Sequence, residues 1–323
     1  MHAFAGVALG SGMLMLATAA SSETLIESPG PDGPLRGTML AAEAPNAPVV
    51  IIIPGSGPTD RDGNSGRELK ASTYRLIAEG LAAEGISSVR IDKRGMFGSA
   101  GAVPDANAVT IADYAADVAS WVSVVRSATK QDCIWVLGHS EGGLVALAAA
   151  QKILNLCGIL LVAAAGRPLA EVLREQLKAN RANAPVLDQA LAAIDGLASG
   201  SRVDTAGMHP ALLPLFRPQV QGFLIDVFSY DPAKLAGDYK GPVLILQGKK
   251  DIQTGAADAE LLHRANPNAK LALLSKANHV LKRVASDDPA ENIATYANPS
   301  LPLAEGVIDA LAEFIKTHTN KVR

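Results

Sequence analysis

The chain carries little net charge: 29 Lys and Arg stand against 32 Asp and Glu, a formal charge of −3. No long Lys/Arg run appears. The clustered basic face that nucleic-acid binding needs is therefore missing, and no nucleic-acid partner is expected. Cysteine is nearly absent, with only Cys133 and Cys157. Their spacing is neither that of metal ligands nor Cys-x-x-Cys. Two free buried thiols and one disulfide both remain open. Charged residues make up 19% and apolar residues 48%, a balance that suits a packed core and argues against disorder. A length of 323 residues allows one large α/β domain with an insertion, or two smaller domains.

No charged residue occurs before Glu23, and Ala3 to Ala20 are mainly apolar or small. Ala17-Thr18-Ala19 offers a small-x-small cleavage pattern, followed by polar Ser21-Ser22. Residues 1–20 therefore read as a signal peptide, and the protein as exported to the periplasm or secreted. The n-region lacks Lys and Arg and has only His2. A retained membrane anchor is the competing reading, since the stretch is of borderline length for a bilayer. Its many Gly, Ala and Ser residues argue against that, so no stable membrane span is expected after processing.

Short apolar runs followed by turn residues recur along the chain. Val49 to Ile53 leads into Pro54-Gly55-Ser56-Gly57, Ser88 to Asp92 into Lys93-Arg94-Gly95, and Ile134 to Leu137 into Gly138-His139-Ser140. Ile159 to Val162, Val243 to Leu246 and Lys270 to Leu274 continue the series. Such runs fit strands buried on both faces, as in a parallel sheet. Helical periodicity covers Leu76–Glu84, Ile111–Val125, Gly143–Leu154 and Ala256–Ala265. The alternation predicts a mostly parallel, doubly wound α/β sheet. Thr24–Ile26 and Leu35–Met39, split by a Pro/Gly-rich turn, predict an antiparallel hairpin at its edge. From Gly166 to about Ala236 buried-strand runs stop, while helical patterns continue at Leu169–Ala179, Val186–Leu197 and Leu212–Phe228. The expected organisation is a core at 21–165 and 237–323 interrupted by a helical cap at 166–236, above the strand ends where α/β sheets carry their sites.

Gly138-His139-Ser140-Glu141-Gly142 fits G-x-S-x-G, in which the nucleophile sits on a sharp strand-to-helix turn. The pentapeptide alone is a weak signal. An apolar strand before it and Gly143-Leu144-Val145-Ala146-Leu147 after it supply the context, and Ser140 is the candidate nucleophile. A serine hydroxyl needs a base, and the base needs an orienting acid. Of the later histidines His209, His263, His279 and His318, only His279 follows a predicted strand in a loop at the sheet's C-terminal edge. Asp251, just beyond another strand, is the candidate acid, with Asp258 second because it falls within a helix. The order Ser, Asp, His agrees with this assignment. The expected oxyanion donors are the backbone N–H groups of Glu141 and Ser56. The turn holding Ser56 lacks the spacing of a phosphate-binding loop.

With these residues in place, the chain resembles the α/β-hydrolase superfamily over nearly all of its mature length. It is similar to the bacterial esterase branch grouped with serine aminopeptidase-like and prolyl-oligopeptidase-like hydrolases. The likeness rests on Gly55 to Asn64, Asp92-Lys93-Arg94-Gly95, Gly138 to Gly143, Asn278 to Lys282 and Tyr296 to Pro302. Met96-Phe97-Gly98-Ser99 departs from it, because the related pattern has one small residue between its glycines. The resemblance implies acyl transfer to water through an acyl-enzyme, a small-molecule ester as substrate, and no metal or organic cofactor. It places Cys133 and Cys157 at the same end of adjacent parallel strands, which predicts a disulfide. An ion-pair network bracing the oxyanion turn is the expected role of Asp60-Arg61-Asp62.

Leu212, Leu213, Phe216 and Phe223, with Leu224 and Phe228, offer either the lining of an acyl pocket or the core of the cap. A carboxylic-ester hydrolase is the leading reading, with a peptidase, amidase or thioesterase on the same three residues as alternatives. A non-catalytic binding protein would be expected to lack one of them. A dehalogenase would need a carboxylate at position 140.

Overall fold

The structure, a computed structural model, describes residues 22–66 and 68–322. The proposed signal peptide lies outside them. Eight strands form one sheet: β1 (Glu23–Ser28), β2 (Leu35–Leu40), β3 (Val49–Ile53), β6 (Ser87–Ile91), β7 (Ile134–His139), β8 (Leu156–Val162), β9 (Val243–Gly248) and β10 (Lys270–Leu274). A separate small hairpin joins β4 (Asn64–Ser65) and β5 (Leu69–Lys70). The main sheet has the order β1-β2-β6-β3-β7-β8-β9-β10. β1 and β2 form the expected antiparallel edge hairpin, and β2 also pairs antiparallel with β6. Every pairing from β6 to β10 is parallel.

The continuous apolar runs reflect helices packed on both faces. In β3, Val49, Ile51 and Ile53 belong to one core cluster, and Val50 and Ile52 to the other, the two-residue period of a strand. α2 (Ile111–Thr129) and α3 (Glu141–Ala150) cover the first face; α1 (Thr73–Ala83) and α11 (Val307–Val322) contribute to the second. β10 departs from the expected pattern. It ends the sheet, and its side chains are only partly buried.

Helix ends are set by both local and tertiary contacts. α1 begins before Leu76 because Thr73 Oγ1 donates to Val280 O at 3.0 Å, anchoring its first turn. α2 opens on a capping box, with the Thr110 side chain accepting from Asp113 N and the Asp113 side chain from Thr110 N, which satisfies two otherwise orphaned donors. α3 stops at Ala150, short of the expected Leu154, whose side chain is 96% exposed.

Between β8 and β9 lie α4 (Leu169–Ala179), α5 (Leu187–Ala198), α6 (Leu213–Phe216), α7 (Pro218–Phe228) and α8 (Pro232–Asp238). Among the described residues no strand interrupts them. Ile194, Phe216 and Val227 from this segment join the same cluster as Trp121 and Leu147. Asp226 on α7 accepts from Ile111 N at 2.7 Å, placing a carboxylate at the positive N-terminal end of α2. After β9 come α9 (Ala256–Ala265) and α10 (Pro289–Ala294).

Candidate active site

Ser140 stands between β7 and α3 with φ 55° and ψ −122°, a strained conformation for a residue with a side chain. Close packing makes glycine necessary on either side. A Cβ on Gly138 would lie 2.0 Å from Gly142 O, and one on Gly142 would lie 2.5 Å from Ile53 O. The Ser140 N–H donates to Val162 O at 2.9 Å, so the neighbouring strand holds the turn. α3 then points its N-terminal end, with its free N–H groups, at the serine.

Asp251 and His279 come together as the sequence suggests. His279 Nδ1 is 2.8 Å from Asp251 Oδ2, and both side chains are buried. Asp251 also accepts from the backbone N–H groups of Gln253 and Thr254 and from Gln247 Nε2, at 2.7, 3.0 and 3.0 Å. Burial pushes its carboxyl up, but His279 and the hydrogen bonds outweigh this and hold it below the usual carboxylate range. An ionised Asp251 fixes the proton on His279 Nδ1 and leaves Nε2 as an acceptor. Ser140 and His279 line the same cavity, and no hydrogen bond joins their side chains among the described contacts. Such bonds commonly tighten only with substrate present. Asp258, the second candidate acid, is fully buried and pairs with Arg167 at 2.8 Å.

Two cavities meet at Ser140. One, of about 310 Å³, is lined mainly by apolar side chains, several of them from α4 and α7, and its lining includes Ser56 and Glu141. The other, of about 460 Å³, contains His279, Tyr296 and Glu68. The backbone N–H groups of Ser56 and Glu141 donate to no protein acceptor among the described residues. Both residues border the cavity that holds Ser140.

The expected pocket residues divide. Phe223 and Leu224 line the apolar cavity. Leu212, Leu213 and Phe216 do not, which corrects the expectation. Leu212 and Phe216 are 4% and 0% exposed within the core, while Leu213 faces solvent at 36%. Pro214 and Pro218 divide the apolar stretch into a 3-10 turn and two helices, so its side chains do not share one helical phase. Leu215 and Val227 join the lining, and α4 adds Leu169, Val172, Leu173 and Gln176. The i, i+3, i+4, i+7 spacing of the α4 residues was the available signal.

The supports behind the site were not evident from the sequence. Tyr74 Oη accepts from Gly55 N at 2.9 Å and lies 3.0 Å from His139 Nδ1; His139 Nε2 lies 2.8 Å from His279 O. Because His279 O can only accept, the His139 proton is on Nε2, and Tyr74 donates to Nδ1. Burial, reinforced by the charge of His279, pushes His139 down to about 3, so it stays neutral. Asp60, Arg61 and Asp62 line neither cavity. Asp60 Oδ1 accepts from the N–H groups of Asp62 and Asn64, Arg61 pairs with buried Asp92, and Asp62 pairs with Arg90. Cys133 and Cys157 form a disulfide with Sγ atoms 2.03 Å apart.

Known proteins resemble this chain in family and fold. The family model described as serine aminopeptidase, S33 matches residues 64–283, a span that includes Ser140, Asp251 and His279. Esterase EstD of Thermotoga maritima is 26% identical over 238 residues, covering 72% of this chain and 54% of that protein. The chain thus spans about half the length of the curated relative it matches. An α/β hydrolase, GrgF, from Penicillium sp. sh18 superposes with a TM-score of 0.61 at 19% identity, over 93% of this chain and 99% of that one. A thermophilic esterase from Thermogutta terrifontis gives 0.55 at 20% identity, over 92% and 99%. These superpositions show that the fold is that of the α/β hydrolases.

Proposed function

This chain belongs to the serine aminopeptidase S33 family of α/β hydrolases, and from that premise we propose that it is a carboxylic-ester hydrolase working through an acyl-enzyme. Ser140 Oγ attacks the ester carbonyl while His279 Nε2 takes its proton. The Ser56 and Glu141 N–H groups receive the oxyanion, and Asp251 holds the imidazolium. Collapse of the tetrahedral intermediate breaks the C–O bond, and the proton passes from His279 to the departing alcohol. Water repeats the sequence on the acyl-enzyme and frees the acid and Ser140. His279 must reach the leaving oxygen and lines only the larger cavity. The alcohol therefore belongs there, and the acyl group in the 310 Å³ apolar one.

The charge of that acyl cavity favours an ester over an aminopeptidase substrate. An aminoacyl group brings a cationic amine beside the scissile carbonyl and needs a free carboxylate to meet it. The cavity lining contains Arg167, and its one carboxylate residue, Glu141, is paired with Lys93. Export belongs to the same proposal. Residues 1–20 supply the signal, and the Cys133–Cys157 disulfide suits an oxidising compartment.

The test is fluorophosphonate labelling of the mature protein beside Ser140→Ala, with p-nitrophenyl esters, thioesters and aminoacyl p-nitroanilides as substrates. Labelling lost in the variant, with esters turned over fastest, is the expected result. An unlabelled folded protein would overturn the assignment of Ser140, and faster anilide turnover would overturn the ester reading.

A further inference from the structure

Lys93 is a buried cation whose partners are both parts of the oxyanion site. Its Nζ donates to Gly55 O at 2.7 Å and to Glu141 Oε1 at 3.2 Å, with both side chains 3% exposed. It also sits 5.3 Å from the centre of the Tyr114 ring. It lines neither cavity that meets at Ser140, so it does not touch a substrate there.

The carbonyl it holds belongs to the same peptide group as the Ser56 N–H. No cis peptide bond occurs among the described residues, and in a trans peptide C=O and N–H point in opposite directions. Fixing Gly55 O toward Lys93 therefore aims the Ser56 N–H the other way. A charged donor on the carbonyl also polarises the peptide and strengthens its N–H as a donor. The second contact of Lys93 is the side chain of Glu141, whose own backbone N–H is the other oxyanion donor. One ammonium thus ties together two donors that lie 85 residues apart, by the difference of positions 141 and 56. On its other side the same turn is fixed by the Gly55 N–H to Tyr74 Oη bond.

We propose that Lys93 is a positioning residue for acyl transfer, its ammonium orienting the Gly55–Ser56 peptide and, through Glu141, registering both oxyanion donors on one point. The proposal rests on the hydrolase reading above. It requires that the loss of Lys93 act on the transition state, where the oxyanion exists, and leave the binding of the neutral ester nearly untouched.

The experiment compares the wild type with Lys93→Met, Lys93→Met/Glu141→Met and Lys93→Arg by kcat and KM on p-nitrophenyl esters, fluorophosphonate labelling rate and thermal unfolding. The double variant removes both charges, a replacement that often leaves folding stability intact. Its kcat and labelling rate are expected to fall roughly 10²-fold, with KM within about three-fold. Lys93→Arg keeps a cationic N–H donor, and the 250 Å³ cavity beside Lys93 leaves room for it; it should restore most of kcat. Arg94→Met/Asp117→Leu removes the neighbouring buried pair, which touches neither donor, and should keep kcat within about three-fold. A folded double variant with undiminished kcat would overturn the proposal, as would a loss carried in KM or an equal loss in the Arg94/Asp117 control. If the double variant fails to fold, a folded Lys93→Arg as slow as Lys93→Met would also overturn it. A wild type that neither labels nor turns over esters points instead to failure of the hydrolase reading.

Discussion

Leu173→Phe tests which cavity receives the acyl chain. Leu173 lies on α4, half-buried, in the lining of the 310 Å³ cavity. At ~30 Å³ per water-sized unit, that volume holds about ten such units. An acyl chain of about six to eight carbons then fills it, since a flexible chain does not reach every corner. Phenylalanine adds three carbons to leucine at this wall and removes room for about three methylenes. At ~0.8 kcal/mol per buried methylene the loss for an acyl group that fills the wild-type cavity is about 2.4 kcal/mol, or roughly 50-fold in kcat/KM. Acetate does not reach the wall and should be unaffected. The assay is kcat/KM for p-nitrophenyl esters from acetate to decanoate. Wild type should gain about four-fold per methylene up to the filling length, and the variant should peak about three carbons earlier. A series of acetate esters with alcohols of growing size provides the control, and its profile should be the same in both proteins. Equal loss for acetate and octanoate would mean a distorted site, and a shift confined to the alcohol series would reverse the cavity assignment. Either result would refute the reasoning.

Two further predictions concern stability. His139 is pushed from 6.5 to about 3, so between these values the unfolded chain binds more protons than the native one. Its contribution is complete above pH 6.5 and is lost as the pH falls toward 3. Between pH 7.5 and pH 5 the loss is about 2 kcal/mol, readable in urea midpoints, and His139→Gln should lack it; identical pH slopes would contradict the buried neutral histidine. The Cys133–Cys157 bond closes a loop of 24-residue separation, for which chain entropy gives about 3 kcal/mol. Cys133→Ser/Cys157→Ser or reduction should lower the melting temperature by about 5 °C in a chain of this size. Two reactive thiols in unreduced, denatured wild type would contradict it.

The strands were legible because both faces of the sheet are covered, leaving Val49 to Ile53 and Ile134 to Leu137 uninterrupted by polar residues. Ser140, Asp251 and His279 were legible for a related reason. Each follows such a run, and parallel strands bring their C-terminal ends to one edge. The boundary of α3 was not legible, because Ile153 and Leu154 continue an apolar pattern where the chain has already turned; Leu154 is exposed. The cavity lining was not legible, because size and hydrophobicity do not say which way a residue faces. Phe216 and Leu215 are adjacent and equally apolar, yet one is buried in the core and the other lines the cavity. Only the phase of α6 after the Pro-divided turn separates them.

The two variable positions of the pentapeptide show why its context carries more information than its glycines. His139 precedes the serine and reaches the backbone of His279, 140 residues away. Glu141 follows it and reaches Lys93, which in turn holds Gly55. Neither side chain is required by the turn, whose geometry is satisfied by Gly138, Gly142 and the Ser140 backbone. Each instead connects the nucleophile's own segment to a different partner, the loop of the base or the turn of the second oxyanion donor. A pentapeptide with other residues at these positions could form the same elbow but would leave Tyr74 and Lys93 facing unmatched groups in a buried, low-dielectric setting. An unpaired buried charge at Lys93 is the more damaging of the two, because a missing partner for an ion costs more than one for a neutral donor. Substitutions at 139 and 141 should therefore be tolerated together with changes at 74 and 93 more readily than alone. The coupling can be read as the non-additivity of Glu141→Met and Lys93→Met in unfolding free energy, and additive effects would break the argument.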